Sequence, residues 1–177
     1  MNEHMTIDTY GAVSAPNTFT LQRLLPGPAE RIWSYLTDAD LRRQWLADGV
    51  MDLKVGAPFE LVWRNDDLSG GSAHRPEGFG EEQRMQSRIT ALDLHKKLSI
   101  TWAGSGEVTF ELHPMGDEVM LTITHYHLPN RDHLLSVAGG WHMHVNILEA
   151  RSRGTTPATF WDGWARLRAD YAARVPA

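Results

Sequence analysis

The chain has 177 residues, of which 42% are hydrophobic and 22% are charged, and its formal net charge at pH 7 is −5. This composition is typical of one globular domain, and the negative charge argues against nucleic acid as a partner, because binding to phosphates requires a basic surface. The absence of cysteine excludes disulfides, thiolate catalysis and thiolate zinc sites.

The first residues contain no basic segment followed by an apolar stretch, so we predict no signal peptide. No apolar run is long enough for insertion into a membrane. We therefore expect a cytoplasmic protein with a leader over residues 1–15, which can be flexible, and a single domain over residues 16–177. The sequence leaves open whether Met1 or Met5 is the natural start.

Strand periodicity dominates the first two thirds of the domain. Alternating apolar residues predict a strand over 19–25, and Pro28 and Asp38 then mark the starts of two short helices. Six further segments have the pattern of strands: 50–55, 59–64, 84–92, 97–102, 107–113 and 118–128. Their short connectors predict an antiparallel meander, since parallel strands need longer crossovers. The one long connection, residues 65–83, is typical of a functional lid or a disordered segment.

The chain ends with two predicted helices. The first runs from residue 131 to a break at Gly154, and the second opens at Thr156 and Pro157. An antiparallel sheet exposes one apolar face, which the first of these helices would cover. Gly139 and Gly140 lie in its middle, and because each weakens a helix by about 1 kcal/mol relative to alanine, they predict a close approach or a local bend.

Four histidines in two His-x-His pairs raise the question of a metal site. His142 and His144 lie roughly 160° apart around a helix, so they cannot both ligate one ion. His125 and His127 share one face of a strand, but no committed third ligand accompanies them. We therefore expect no metal and no cofactor, with His125 extending the inner apolar face and His127 at the rim of the sheet.

No catalytic motif stands out. There is no G-x-S-x-G elbow and no phosphate-binding loop, and we interpret the pairs at 66–67 and 81–82 as solvated loop acids. The seven tryptophans are the more informative excess. Large aromatic side chains on both the sheet and the covering helix can pack as a core or line a cavity.

Six motifs stand out beside this layout, at 30–38, 45–46, 55–61, 109–112, 116–125 and 140–144. Through them the chain resembles, over about residues 16 to 175, the START-like, or SRPBCC, superfamily, and in particular homologues of the C-terminal domain of the activator of heat-shock protein 90 ATPase. It implies an α+β helix-grip fold, like that of the birch pollen allergen. In this fold a curved antiparallel sheet of six to seven strands wraps around a long C-terminal helix, and two short helices follow the first strand.

The resemblance also implies a cavity between the sheet and the long helix. We expect a non-catalytic protein that binds a small hydrophobic or aromatic molecule there, with residues 65–83 as a flexible lid. The expected lining consists of Trp45, Phe59, Trp63, Trp102, Phe110, His125, Trp141 and His142.

Two alternatives stay open. The first is an interaction module, either a chaperone cofactor or stress-response partner of the heat-shock protein 90 activator type or a homodimer, because Met143 and Ile147 form an apolar face opposite Trp141. The second is a cyclase- or aromatase-like or hydrolytic enzyme, in which His125 or His142 would be the general acid–base. The resemblance carries over no catalytic residues, because none are common to the superfamily.

Overall fold

One antiparallel sheet forms the frame of the computed structural model, which describes residues 8–68, 75–103 and 106–176. In the described residues the sheet has seven strands in the order β1-β2-β7-β6-β5-β4-β3. They are β1 (Ala12–Ala15), β2 (Thr18–Pro26), β3 (Pro58–Trp63), β4 (Gln83–Asp93), β5 (Lys97–Trp102), β6 (Gly106–Met115) and β7 (Glu118–Tyr126). The helices are α1 (Ala29–Thr37), α2 (Ala39–Arg42), α3 (Arg131–Arg153) and α4 (Phe160–Arg174). The predicted α+β class and helix-grip arrangement are confirmed.

The inner face of the sheet follows from the alternation of its strands. In β7 the side chains of Leu121, Ile123 and His125 are buried, while Thr122 and Thr124 between them are only partly buried. β2 pairs with β7 from Phe19 opposite His125 onward, so the apolar residues of both strands lie on the same side. This register produces the apolar surface that α3 covers.

Helix α3 has clear start and stop signals. The side chain of Asn130 accepts a hydrogen bond from the backbone N–H of His133 at 2.9 Å, and Gly154, with φ of 73°, ends the helix in the left-handed conformation. Trp141, Val145 and Leu148 are buried on one side of the helix.

Helix α4 packs on the other side of α3. Met143 and Ile147, which form the apolar face opposite Trp141, are fully buried. A Cβ atom added to Gly139 would lie 3.1 Å from the backbone nitrogen of Arg168, and one added to Gly163 would clash with Met143. The close approach predicted from the glycine pair is therefore present at Gly139, where the two helix backbones nearly touch.

Three local predictions were wrong. Residues 50–55 form no strand: Val50 and Val55 are exposed, and only Asp48 pairs with β3, through a single bridge to Val62. The segment is irregular, and its alternating apolar residues Met51 and Leu53 pack against the core. An edge strand, β1, forms instead within the segment expected as leader, so the two short helices follow the second strand. Helix α4 begins at Phe160 rather than at Thr156.

Met1 and Met5 lie outside the described residues. Among the residues that are described, no helix is both long and apolar enough to cross a membrane.

Candidate ligand-binding site

A pocket of about 310 Å³ lies where the β3–β5 side of the sheet meets α3 and the first turns of α4. Five of the seven tryptophans line it, namely Trp63, Trp102, Trp141, Trp161 and Trp164. Phe79 and Phe160 complete the aromatic wall. Large rings on the sheet and on both helices thus line one small pocket.

The sheet wall and the α3 wall meet through a chain of ring contacts. The Trp102 ring lies 5.3 Å from the rings of both Trp63 and Trp141, with tilted or edge-to-face orientations. Such orientations are the favourable ones for aromatic pairs. Within the described part of the chain, the indole N–H groups of Trp63 and Trp102 have no hydrogen-bond partner, so both donors remain available.

His125 lies behind this wall and fixes the orientation of Trp141. The indole Nε1–H of Trp141 donates a hydrogen bond to His125 Nδ1 at 3.0 Å. Burial lowers the pKa of His125 to about 4, so the ring is neutral at pH 7 and Nδ1 carries the lone pair that accepts this bond. His125 supports the pocket from behind and does not line it.

His144 does line the pocket, although the sequence prediction assigned this role to His142. Its Nδ1 lies 2.8 Å from the backbone oxygen of Trp45, and because a carbonyl can only accept, the proton lies on Nδ1. Burial also lowers the pKa of His144 to about 4. The ring is therefore neutral, and its Nε2 is an acceptor that makes no hydrogen bond within the described ranges.

The α4 wall is anchored by hydrogen bonds from its indoles. Trp161 Nε1–H donates to Asp66 Oδ1 at 2.7 Å, and Trp164 Nε1–H donates to the backbone oxygen of Ser136 at 3.1 Å. Asp66 also accepts a hydrogen bond from Arg75 and is only 7% exposed. The interpretation of Asp66 as a solvated loop acid was therefore wrong, since it fixes Trp161.

The long connection between β3 and β4 contributes to the same wall. Asn65–Leu68 form a short 3-10 helix, and the Phe79 ring lies 5.1 Å from that of Trp161 and 5.4 Å from that of Trp164. Residues 69–74 of the predicted lid lie outside the described residues. The described parts of this connection pack against the start of α4.

Polar residues, Asn65 and Arg84 among them, make up part of the pocket lining. Asn65 lines the pocket, and its Oδ1 is buried with no hydrogen-bond partner. At the exposed rim, Arg84 donates to Glu60 at 2.7 Å and to Glu82 at 2.9 Å. The hydrogen bond between Arg84 and Glu82 lowers the pKa of Glu82 and raises the pKa of Arg84. The guanidinium of Arg84 at the rim is thus already paired with two carboxylates.

Only three of the eight residues expected to line a cavity, Trp63, Trp102 and Trp141, line this pocket. The Phe110 ring lies 5.6 Å from that of Trp141 and backs it. Trp45 is fully buried and donates to the backbone oxygen of Tyr35, and Phe59 is buried in the core.

His142 lies away from the pocket, between α3, α4 and the N-terminal segment. Its Nδ1 is 2.8 Å from the hydroxyl oxygen of Tyr171, which also accepts a hydrogen bond from the backbone N–H of Gly11. The Tyr10 ring packs edge-to-face on it at 4.7 Å. His142 therefore joins three elements, and burial lowers its pKa to about 4.

Sequence reasoning missed Asn65, Phe79, His144, Phe160, Trp161 and Trp164. Phe160 and Trp164 lie four residues apart in the predicted last helix, and this apolar spacing was the available signal for a third wall. Among the residues that the structure describes, no three histidine, aspartate or glutamate side chains could together hold a metal ion.

Comparison with known proteins gives consistent results. Residues 26–152 match the family model described as activator of Hsp90 ATPase homolog 1-like protein. A protein from Bordetella parapertussis, solved by NMR, is 34% identical over 96% of this chain and 92% of its own, with a TM-score of 0.81. No protein with a curated description matches the chain significantly.

Two more distant structures share the fold. CalU16 from Micromonospora echinospora is 18% identical over 95% of this chain and 96% of its own, with a TM-score of 0.67. DynU16, encoded in the dynemicin biosynthetic locus, is 14% identical over 82% of this chain and 51% of its own, with a TM-score of 0.64.

Proposed function

The chain belongs to the activator of Hsp90 ATPase homolog 1-like family, within the START-like superfamily. From this premise we propose that it is a cytoplasmic protein that binds a small aromatic molecule. The observation that carries the proposal is the convergence of five tryptophans on one pocket of about 310 Å³. Ligand pockets range from about 300 to 1,000 Å³, so this one suits a molecule of one or two rings.

The wall of the pocket is held in place before any ligand arrives. The indoles of Trp141, Trp161 and Trp164 each donate to a protein acceptor behind the wall. Binding to rings that are already fixed loses little side-chain entropy, which favours affinity for a flat ligand. Hydrogen bonds of this kind therefore support a binding role for these tryptophans.

The histidines support binding in preference to catalysis. A general base works best when its pKa is near the working pH. The pKa values of His125, His142 and His144 all fall to about 4 because the rings are buried. The Nδ1 atoms of all three are engaged in hydrogen bonds, and only His144 lines the pocket.

The interaction-module alternative loses the surface that suggested it. Met143 and Ile147 are buried under α4, so the apolar face of α3 is not available to a chaperone or to a second copy of the chain. The pocket, in contrast, combines aromatic walls with polar groups that have no hydrogen-bond partner among the described residues, namely the N–H groups of Trp63 and Trp102 and Nε2 of His144. We therefore place ligand binding first.

Gly140 provides a direct test of the pocket. It lines the pocket, and a Cβ atom added to it would have no neighbour within 4 Å. The Gly140→Leu side chain would consequently occupy the space of the ligand, whereas Gly140→Ala adds one methyl group and serves as the matched control. Intrinsic tryptophan fluorescence should report saturable binding of members of a panel of one- and two-ring aromatics to the wild type.

We expect Gly140→Leu to abolish this binding and Gly140→Ala to retain it, with both variants folded by circular dichroism. If no panel member gives a saturable response, or if Gly140→Leu binds as the wild type does, the proposal is wrong.

A further inference from the structure

We infer that His144 determines specificity: its Nε2 accepts a hydrogen bond from the N–H or O–H group of an uncharged aromatic ligand of the indole type. The inference rests on the proposed function, because it concerns the occupant of the same pocket. It adds the chemical class of that occupant and the residue that recognises it.

The orientation of the His144 ring is fixed by its neighbours. Its Nδ1–H donates to the backbone oxygen of Trp45 at 2.8 Å, and the imidazole lies 4.7 Å from the ring of Phe160 and 6.4 Å from that of Trp141. The two nitrogens of an imidazole point in widely different directions. Nε2 therefore points away from Trp45, while both neighbouring rings belong to the pocket lining.

The Nε2 atom of His144 has accessible surface. It has no hydrogen-bond partner among the described residues, yet it is not one of the fully enclosed unpaired side-chain atoms, which in the described part of the chain are Arg23 Nε and Asn65 Oδ1. An unpaired nitrogen outside that pair must be reachable from outside the protein. The residue as a whole is only 6% exposed, so this small surface is the part of His144 that a ligand can contact.

The geometry of α3 places this surface in the pocket. Val137, Gly140, Trp141 and His144 line the pocket together, at the spacing of one helix face. Side chains tilt toward the N-terminus of their helix, so that of residue 144 leans over residue 140, one turn earlier. A Cβ atom added to Gly140 would have no neighbour within 4 Å. The open space over Gly140 is therefore the part of the pocket that borders the His144 ring.

A hydrogen-bond donor is the ligand group that matches this nitrogen. The proton of the neutral ring lies on Nδ1 and is donated to Trp45, so Nε2 can only accept. A ligand without a donor would displace solvent from Nε2 and leave the nitrogen unpaired, which costs affinity. A ligand with an N–H or O–H group replaces the lost hydration with a direct hydrogen bond.

Charged ligands match the pocket less well. Arg84 is the one cationic side chain in the described lining, and it is already hydrogen-bonded to Glu60 and Glu82. A carboxylate would lose its hydration without gaining an unpaired cation. The described lining also includes no carboxylate that could offset the desolvation of an ammonium group. The pocket should therefore favour uncharged aromatics.

Indole and benzofuran are matched probes, because they have the same bicyclic shape and only indole has a hydrogen-bond donor. In isothermal titration calorimetry at pH 7, the wild type should bind indole about ten-fold more tightly than benzofuran, as expected when an acceptor is left unpaired. Indole-5-carboxylate keeps the N–H donor but adds a negative charge. It should bind more weakly than indole.

NMR of the wild type labelled with ¹⁵N-histidine reports the hydrogen bond directly. The resonance of an unprotonated imidazole nitrogen moves upfield when that nitrogen accepts a hydrogen bond. The Nε2 resonance of His144 should therefore move upfield when indole binds and much less when benzofuran binds.

Two variants then locate the effect. His144→Phe keeps a ring of similar shape but removes the acceptor, so the variant should bind indole and benzofuran with equal affinity. His142→Phe makes the same exchange at a buried histidine of α3 that lies away from the pocket, and it should leave the ten-fold preference unchanged. A role of His144 that is only structural would weaken both probes equally and keep the preference.

The possible failures are distinguishable. Equal wild-type affinities for indole and benzofuran, a preference that persists in His144→Phe, or tighter binding of the carboxylate than of indole would overturn the inference while leaving the proposed function in place. An Nε2 resonance that bound indole does not move would do the same, and this measurement decides even if His144→Phe does not fold. Failure of both probes to bind contradicts the inference, and failure of every aromatic in the panel contradicts the proposed function as well.

Discussion

His125 illustrates how a single buried side chain can support a binding wall without touching the ligand. The ring is 1% exposed, accepts the indole N–H of Trp141 and lies 5.3 Å from the ring of Trp102. It therefore stabilises the contact between the sheet wall and the α3 wall. A histidine is required at this position for the hydrogen bond, because phenylalanine has a similar shape but offers no acceptor to Trp141.

We expect His125→Phe to lower the free energy of unfolding by about 1–3 kcal/mol, because the buried N–H of Trp141 loses its acceptor. Urea unfolding followed by circular dichroism measures this change. His113→Phe, the same exchange at an exposed position of β6, is the matched control and should change stability by less than about 0.5 kcal/mol. Equal effects of the two exchanges would show that the hydrogen bond to Trp141 is unimportant.

The buried histidines also predict how stability depends on pH. The pKa values of His125, His142 and His144 are lowered to about 4 in the folded state, whereas the ordinary value is 6.5. Below pH 6.5 the unfolded chain therefore binds protons that the folded protein does not bind. The stability provided by neutral histidines is complete above pH 6.5 and is lost as the pH falls toward 4, by up to about 3 kcal/mol for each ring.

His125→Phe removes one of these groups, so the free energy of unfolding should fall less steeply for this variant than for the wild type between pH 6.5 and 4.5. Urea titrations at several pH values in this range measure the difference in slope. His113→Phe, the same exchange at an exposed position, should retain the wild-type slope. Parallel curves for the wild type and His125→Phe would contradict the assignment of a neutral, buried ring.

Among the helices, the contact between α3 and α4 shapes the site most directly. Gly139 allows the two backbones to approach, and the adjacent Gly140 leaves the pocket open. The sequence identified the pair as a place of close approach or bending but could not assign different roles to the two glycines. That difference depends on where α4 packs, and the local pattern of α3 carries no information about it.

The two glycines should respond differently to the same substitution. Gly140→Ala meets no atom and should stabilise the protein by about 1 kcal/mol through helix propensity. The added methyl group of Gly139→Ala lies 3.1 Å from the backbone nitrogen and 3.3 Å from the Cα of Arg168, and a helix backbone cannot easily move away. We expect Gly139→Ala to be less stable than Gly140→Ala in urea unfolding; equal stabilisation would contradict the close contact.

In the molecule as a whole, the fold was more predictable from the sequence than the site. Strand periodicity and helix start and stop signals are local, and they gave β2, β3 to β7 and α3. The site depends on long-range packing. Trp63, Trp102 and Trp141 could be placed on facing walls from their strand and helix periodicity. The choice between His142 and His144 could not be made, because both flank Trp141 and long-range packing decides which one faces the pocket.

A ligand that bridges the sheet, α3 and α4 should stabilise the whole molecule, because all three walls are complete only in the folded state. At a free concentration of 100 times Kd, one-site binding adds about 2.7 kcal/mol to the free energy of unfolding. Each kcal/mol raises Tm by about 2–4 °C for a chain of this size, so Tm should rise by about 5–10 °C. Thermal unfolding by circular dichroism, with the tightest-binding aromatic of the panel, measures this shift.

Gly140→Leu should show no shift under the same conditions, since its side chain occupies the pocket. An equal shift in Gly140→Leu would mean that the aromatic binds elsewhere on the molecule.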